Sequence, residues 1–100
     1  MVEKEDKDKG AVLRIKGSMS VADIASTHKE LLTCFDDHDD LIVNLKEVDF
    51  CDVSGIQVLH SARKTAESMG KTFLVEQVSN SIVDTFNKVG LDPETVLIEK

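Results

Sequence analysis

Ser54 is the residue whose surroundings most invite chemistry. It stands in the run Asp49-Phe50-Cys51-Asp52-Val53-Ser54-Gly55-Ile56-Gln57-Val58-Leu59, where an aliphatic stretch has just ended and a helical pattern begins. A serine at a helix N-terminus faces backbone amides that lack partners inside the helix, at the positive end of the peptide dipoles. Anions are well tolerated there. Phosphorylation of Ser54 would add about −1.5 to −2 charges without unfolding the helix, so the hydroxyl can act as a switch that alters the surface shown to a partner. The same spacing also has a purely structural use. Ser54 as N-cap and Gln57 as its reciprocal partner form a capping box, worth roughly 1 kcal/mol against alanine.

Other chemistries fail on spacing. A phosphatase loop built on Cys51 needs an arginine six residues on, and that position is Gln57. Gly70-Lys71-Thr72 resembles the end of a phosphate-binding loop, but the required first glycine falls at Thr65 and the context is reversed, a helix running into a strand. Cys34 and Cys51 form no C-x-x-C pair, and His28, His38 and His60 are scattered singly, so no zinc pattern arises. No histidine lies near Ser54 in sequence to act as a base. The expectation is a protein with no catalytic residues, no metal and no cofactor, its thiols reduced. An enzyme acting on a small molecule or nucleotide ranks last among the readings.

The elements that must position Ser54 follow from periodicity. Ala11–Ile15, Leu41–Leu45, Thr72–Val78 and Thr95–Ile98 read as strands, and runs such as Leu41-Ile42-Val43 suit strands covered on both faces. A first helix carries Val21, Ile24, Ala25, His28, Leu31, Leu32 and Phe35 on one stripe, with Ser20 as its predicted N-cap and His28 as a core or boundary histidine. A second runs from about Gly55 to Met69 with Ile56, Leu59, Ala62, Ala66 and Met69 inward, closed by Gly70. A third spans roughly 81–89, with Ile82, Phe86 and Val89 on one face, Lys88 near its negative end and Gly90 as the stop. The order β-α-β-α-β-α-β implies an α/β fold with a mostly parallel four-stranded sheet and three helices.

Composition narrows the class further. One hundred residues make a single domain, 1–100, with residues 1–10 a frayed end or an edge strand beginning at Val2. Apolar residues make up 41% and charged ones 31%, which fits a soluble globule with an aliphatic core. The net charge of −7 disfavours nucleic acid and anionic membrane surfaces, which carry the same sign. No apolar run approaches a membrane span, and the first ten residues lack the apolar core of a secretory signal. A cytoplasmic protein is expected, without membrane insertion, as a monomer or weak dimer.

Around Ser54 the sequence resembles the STAS domain family, and within it the bacterial anti-sigma factor antagonists. The aliphatic strand Leu41-Ile42-Val43-Asn44-Leu45 is followed by Asp52-Val53-Ser54-Gly55-Ile56, similar to that family's D-x-S-G loop opening a helix. Ala11–Gly17, Lys71–Val78 and Lys88-Val89-Gly90-Leu91-Asp92 resemble further family elements, so the likeness covers nearly the whole chain. The resemblance implies that Ser54 is a phosphoacceptor and Asp52 the acidic residue of the motif. It implies as partners an anti-sigma factor that is also a serine-protein kinase, and a PPM-type serine phosphatase that resets the switch.

Three departures bear on this. The family's G-x-L-D element reads Gly17-Ser18-Met19-Ser20, without its acid; no extra C-terminal helix is expected; and Gly55-Ile56-Gln57-Val58-Leu59 is closer to the wording of STAS proteins allied to chemotaxis and lipid-transport systems. The alternative is therefore a non-phosphorylated STAS subunit docking on such a complex.

In either case the expected docking surface is the loop Phe50–Gly55 with the exposed face of the following helix. Its residues are Asp52, Val53, Gly55, Gln57, His60, Ser61 and Lys64. Charge is concentrated beside it: seven acids and one base lie between Asp36 and Asp52. Asp36–Asp40 precede the strand 41–45, which spans about 17 Å, roughly two Debye lengths at physiological salt. Only Glu47, Asp49 and Asp52 are near enough to shape the switch, and they call for a basic partner.

Overall fold

The computed structural model describes residues 2–6 and 10–91 of the chain. The elements run β1 (Val2–Asp6), β2 (Gly10–Ile15), β3 (Gly17–Met19), α1 (Ile24–Asp37), β4 (Asp40–Asn44), β5 (Val48–Cys51), α2 (Val53–Ser68), β6 (Thr72–Glu76) and α3 (Asn80–Val89). The fold is α/β, and among the described residues it comprises a four-stranded mixed sheet in the order β1-β2-β4-β6, a separate two-stranded sheet of β3 and β5, and three helices. β2, β4 and β6 pair in parallel, and β1 is the antiparallel edge strand begun at Val2. The predicted strand Thr95–Ile98 lies outside the described residues.

Alternation along the strands builds the core. Ala11, Leu13 and Ile15 of β2, Leu41 and Val43 of β4, and Phe73 and Val75 of β6 all point to one buried face. α1 and α2 pack together on that side, and the Phe35 and Phe73 rings meet at 6.3 Å. On the opposite face Val12, Ile42 and Leu74 stand in register, Val12 buried, Ile42 half-buried and Leu74 exposed on β6, the last strand of the sheet among the described residues. Arg14 and Lys16 fasten β1 through Glu5 at 2.9 Å and Glu3 at 3.1 Å.

The first helix begins later than its apolar pattern indicates. Ser20 does not cap it. Ser20–Asp23 form a turn in which the Asp23 amide donates to the Ser20 carbonyl (2.9 Å) and the Ser20 hydroxyl donates to the Asp23 carboxylate (3.2 Å). The buried stripe is accordingly Thr27, Leu31, Cys34 and Phe35, with Ile24 packed at its margin and His28 half-buried. Val21, Ala25 and Leu32 are exposed. In the other helices Met69 and Val89 are exposed as well, because each follows or ends the last turn that faces the core. Gly70 and Gly90 take the left-handed conformation expected of them, with φ of 69° and 75°.

Two strands had no counterpart in the sequence pattern. β3 and β5 pair in parallel, Gly17 with Val48, Ser18 with Phe50 and Met19 with Cys51, with an irregularity after Gly17. Met19, Val48 and Cys51 are buried, whereas Asp49 and Phe50 are exposed. This small sheet leads directly into α2.

Candidate functional site

The segment expected as a loop, 50–55, is more ordered than that. Phe50 and Cys51 end β5, Asp52 is the N-cap of α2, and Val53 to Gly55 form the first turn. Ser54 is therefore two positions inside the helix, and the capping residue is Asp52. The Asp52 backbone is extended (φ −111°, ψ −174°), as an N-cap requires, and its Oδ1 accepts from the Ser54 amide at 2.9 Å. A carboxylate supplies both the cap and a charge that suits the positive end of the helix. It displaces the predicted Ser54–Gln57 capping box.

The second carboxylate oxygen reaches across the fold. Asp52 Oδ2 accepts from the Val21 amide at 3.1 Å, and the Asp52 amide donates to the Met19 carbonyl at 3.3 Å. The turn Ser20–Asp23 is thereby set beside the amino end of α2. This turn belongs to the site but gave no local signal in the sequence, since 31 residues separate Val21 from Asp52. It brings Asp23 close to the place where the G-x-L-D acid is missing at Ser20.

Gly55 explains how closely these pieces approach. A side-chain carbon there would lie 2.7 Å from both the Met19 carbonyl oxygen and Cys51 Sγ, distances no real contact shows. Only glycine lets the helix start against the small sheet. Gly55 is buried, so it is set apart from the expected docking residues: it seats the helix and offers no side chain to a partner. Val53, Gln57, His60, Ser61 and Lys64 are exposed on α2, while Asp52 and Ser54 are half-buried. An apolar hollow of ≈ 210 Å³ lined by Ile56, Gln57, His60 and Leu91 adjoins this face. Leu91 was not among the residues anticipated.

Behind the site, α3 braces β5. The Thr85 hydroxyl approaches the Cys51 carbonyl at 2.6 Å, and the Ser81 hydroxyl donates to the Asp49 carbonyl at 2.8 Å. Burial, followed by the neighbouring Asp52 carboxylate, pushes the Cys51 thiol up to about 11. Cys51 is thus a protonated packing residue at neutral pH, without the thiolate that a nucleophile needs. Among the described residues no group of His, Cys, Asp or Glu is arranged to hold a metal ion. No helix of the described residues is long and apolar enough to cross a membrane.

The fold that carries this capped helix has counterparts among known proteins. The profile of the STAS domain matches residues 1–100. The chain belongs to the STAS domain family. No curated protein matches it in sequence. Among solved structures, the anti-sigma factor antagonist SpoIIAA in its unphosphorylated form superposes with a TM-score of 0.75 at 19% identity, covering 93% of this chain and 84% of that one. SpoIIAA as the phosphorylated Bacillus cell fate determinant gives 0.72 at 18% identity, with 93% and 86% covered. A serine-to-glutamate variant of RsbS from Moorella thermoacetica gives 0.76 at 19% identity, with 96% and 83% covered. The STAS domain of a SulP transporter from Vibrio cholerae gives 0.62 at 22% identity, with 92% and 71% covered. The STAS fold therefore serves both sigma-factor control and transporters, and at these identities the likeness is one of fold.

Proposed function

We propose that this STAS domain is an anti-sigma factor antagonist whose docking is switched by phosphorylation of Ser54. The observation that carries the reading is the position of Ser54 in the first turn of α2, half-buried, between the capping carboxylate of Asp52 and the exposed side chains Val53 and Gln57. A kinase would transfer the terminal phosphoryl group of ATP to Ser54 Oγ, releasing ADP and the hydroxyl proton. The new dianion would stand at the amino end of the helix, where the fold can carry it. SpoIIAA has this fold in both its unphosphorylated and phosphorylated forms, which supports a switch that leaves the domain folded.

In this reading the unphosphorylated domain binds an anti-sigma factor that is also a serine-protein kinase, through Asp52, Val53, Gln57, His60, Ser61 and Lys64. A PPM-type phosphatase hydrolyses the phosphoserine and restores binding. The chain itself is not an enzyme; it works in the cytoplasm as a monomer or weak dimer and binds no nucleic acid. Incubation with the cognate kinase and ATP, followed by intact-mass measurement, should show a single phosphate in the wild type and none in Ser54→Ala. A phosphate retained by Ser54→Ala, or none on the wild type with an active cognate kinase, overturns the reading.

A second reading has its own support. The fold matches a transporter STAS domain, and Ser20 and Gln57 depart from the antagonist pattern. The domain would then dock constitutively on a signalling or transport complex, and Ser54→Asp would bind as well as the wild type.

A further inference from the structure

We infer that Asp52 is a relay: a phosphoryl group on Ser54 draws the Asp52 carboxylate off the Val21 amide and frees the Ser20–Ala22 turn. The inference rests on the proposed modification of Ser54 and concerns how that event reaches the rest of the surface.

The geometry is a two-armed clasp. One carboxylate holds two amides from distant parts of the chain, Ser54 through Oδ1 at 2.9 Å and Val21 through Oδ2 at 3.1 Å. Both oxygens belong to one planar group, so turning Oδ1 away from Ser54 also takes Oδ2 away from Val21. The phosphoryl group would be attached to the very residue whose amide holds the first arm. It brings three strong acceptor oxygens that compete for the amides of the first helical turn, and a negative charge that repels the adjacent carboxylate. Both effects act in the same direction.

The backbone limits how far the release spreads. β3 stays anchored up to Met19, which pairs with Cys51 and whose carbonyl accepts from the Asp52 amide. On the other side α1 begins at Ile24 and is held by its own ladder. Between these anchors the turn keeps its own bonds between Ser20 and Asp23, and the Asp52 carboxylate ties it to the amino end of α2 at the Val21 amide. Val21 is 72% exposed, more than any other large apolar residue described. Its displacement would remove an apolar contact from beside the α2 docking face, so phosphorylation would change the shape of the surface as well as its charge.

Amide hydrogen exchange followed by NMR tests the relay on the full chain, with phosphoserine installed at position 54 by semisynthesis so that no kinase is needed. The Val21 amide should exchange at least about tenfold faster in the phosphorylated protein than in the wild type, with the β2 and β4 amides unchanged. Ser54→Ala, which keeps both backbone amides, should leave Val21 protected. Asp52→Ala has no side-chain acceptor and should expose the Val21 amide without phosphate, and phosphoserine should then add no further acceleration. Equal Val21 protection with and without phosphate overturns the relay, as does a further acceleration by phosphate in Asp52→Ala. Failure of a kinase to modify Ser54 leaves these results untouched and bears on the proposed function alone.

Discussion

The Thr85 hydroxyl lies 2.6 Å from the Cys51 carbonyl oxygen, joining α3 to the last residue of the strand that feeds the candidate site. Thr85 is buried, so water cannot replace it. The same hydroxyl also lies 2.9 Å from the Ser81 carbonyl within α3; Thr85→Val keeps the volume and removes this shared donor, and a buried carbonyl left without it costs about 1–3 kcal/mol. In a domain of this size each kcal/mol moves the midpoint by roughly 4–8 °C. Thermal unfolding should show that loss for Thr85→Val and a smaller one for Thr85→Ser, which keeps the hydroxyl. Equal stability of Thr85→Val and the wild type would mean that the bond contributes nothing.

Gly55→Ala should be destabilising even though alanine favours helices. The added carbon meets the Met19 carbonyl oxygen and Cys51 Sγ at 2.7 Å, and such overpacking costs about 1–3 kcal/mol. Urea denaturation measures it. Relief of the clash requires α2 to move away from β3, so the NMR shifts of Met19 and Cys51 should change with it. A stabilised Gly55→Ala protein would contradict the packing described.

Cys51 links burial to pH. Its thiol is held up to about 11, against an ordinary 9.0, chiefly by burial. Below pH 9 both folded and unfolded chains keep the proton, and the stability is fully present. Between about 9 and 11 the unfolded chain ionises while the folded one does not, so the domain loses stability as pH rises through that window. Denaturation at pH 8 and pH 10.5 should show a steeper loss for the wild type than for Cys51→Ala. Identical pH dependence in the two proteins would refute the assignment. At pH 7.5 a thiol reagent should label Cys51 only as fast as the domain opens.

Gln57, His60, Ser61 and Lys64 are exposed on one side of α2. Alanine at each should change stability by no more than about 0.5 kcal/mol, because the core face of the helix is untouched. Titration calorimetry against the cognate anti-sigma factor should nevertheless show weakened binding for Gln57→Ala and His60→Ala, which also line the apolar hollow with Ile56 and Leu91. Unchanged affinity in all four variants would place the docking surface elsewhere.

Much of this fold was legible because local pattern and tertiary role agree. The aliphatic runs of β2, β4 and β6 and the glycines at 70 and 90 each act through neighbours in sequence. The small sheet was not legible. Gly17–Met19 is three residues long, and Val48–Cys51 places Asp49 and Phe50 outward between two buried ends, which breaks the alternation that marks a strand. The caps failed for a related reason. Ser20 and Ser54 are good N-cap residues by type, but the carboxylate of Asp52 takes the cap of α2 and draws the Val21 amide to it, a contact fixed by the fold alone. The motif marks Ser54, and its place inside the first turn follows from the Asp52 cap, which depends on the fold.

If phosphorylation of Ser54 switches the domain as proposed, the chemical state of Ser54 controls docking. The most direct measurement is the dissociation constant of the wild type, Ser54→Ala and Ser54→Asp for the cognate anti-sigma factor. Ser54→Ala should bind within a few-fold of the wild type, while Ser54→Asp should bind at least about tenfold more weakly, a difference of roughly 1.4 kcal/mol. Equal binding by all three proteins would contradict it.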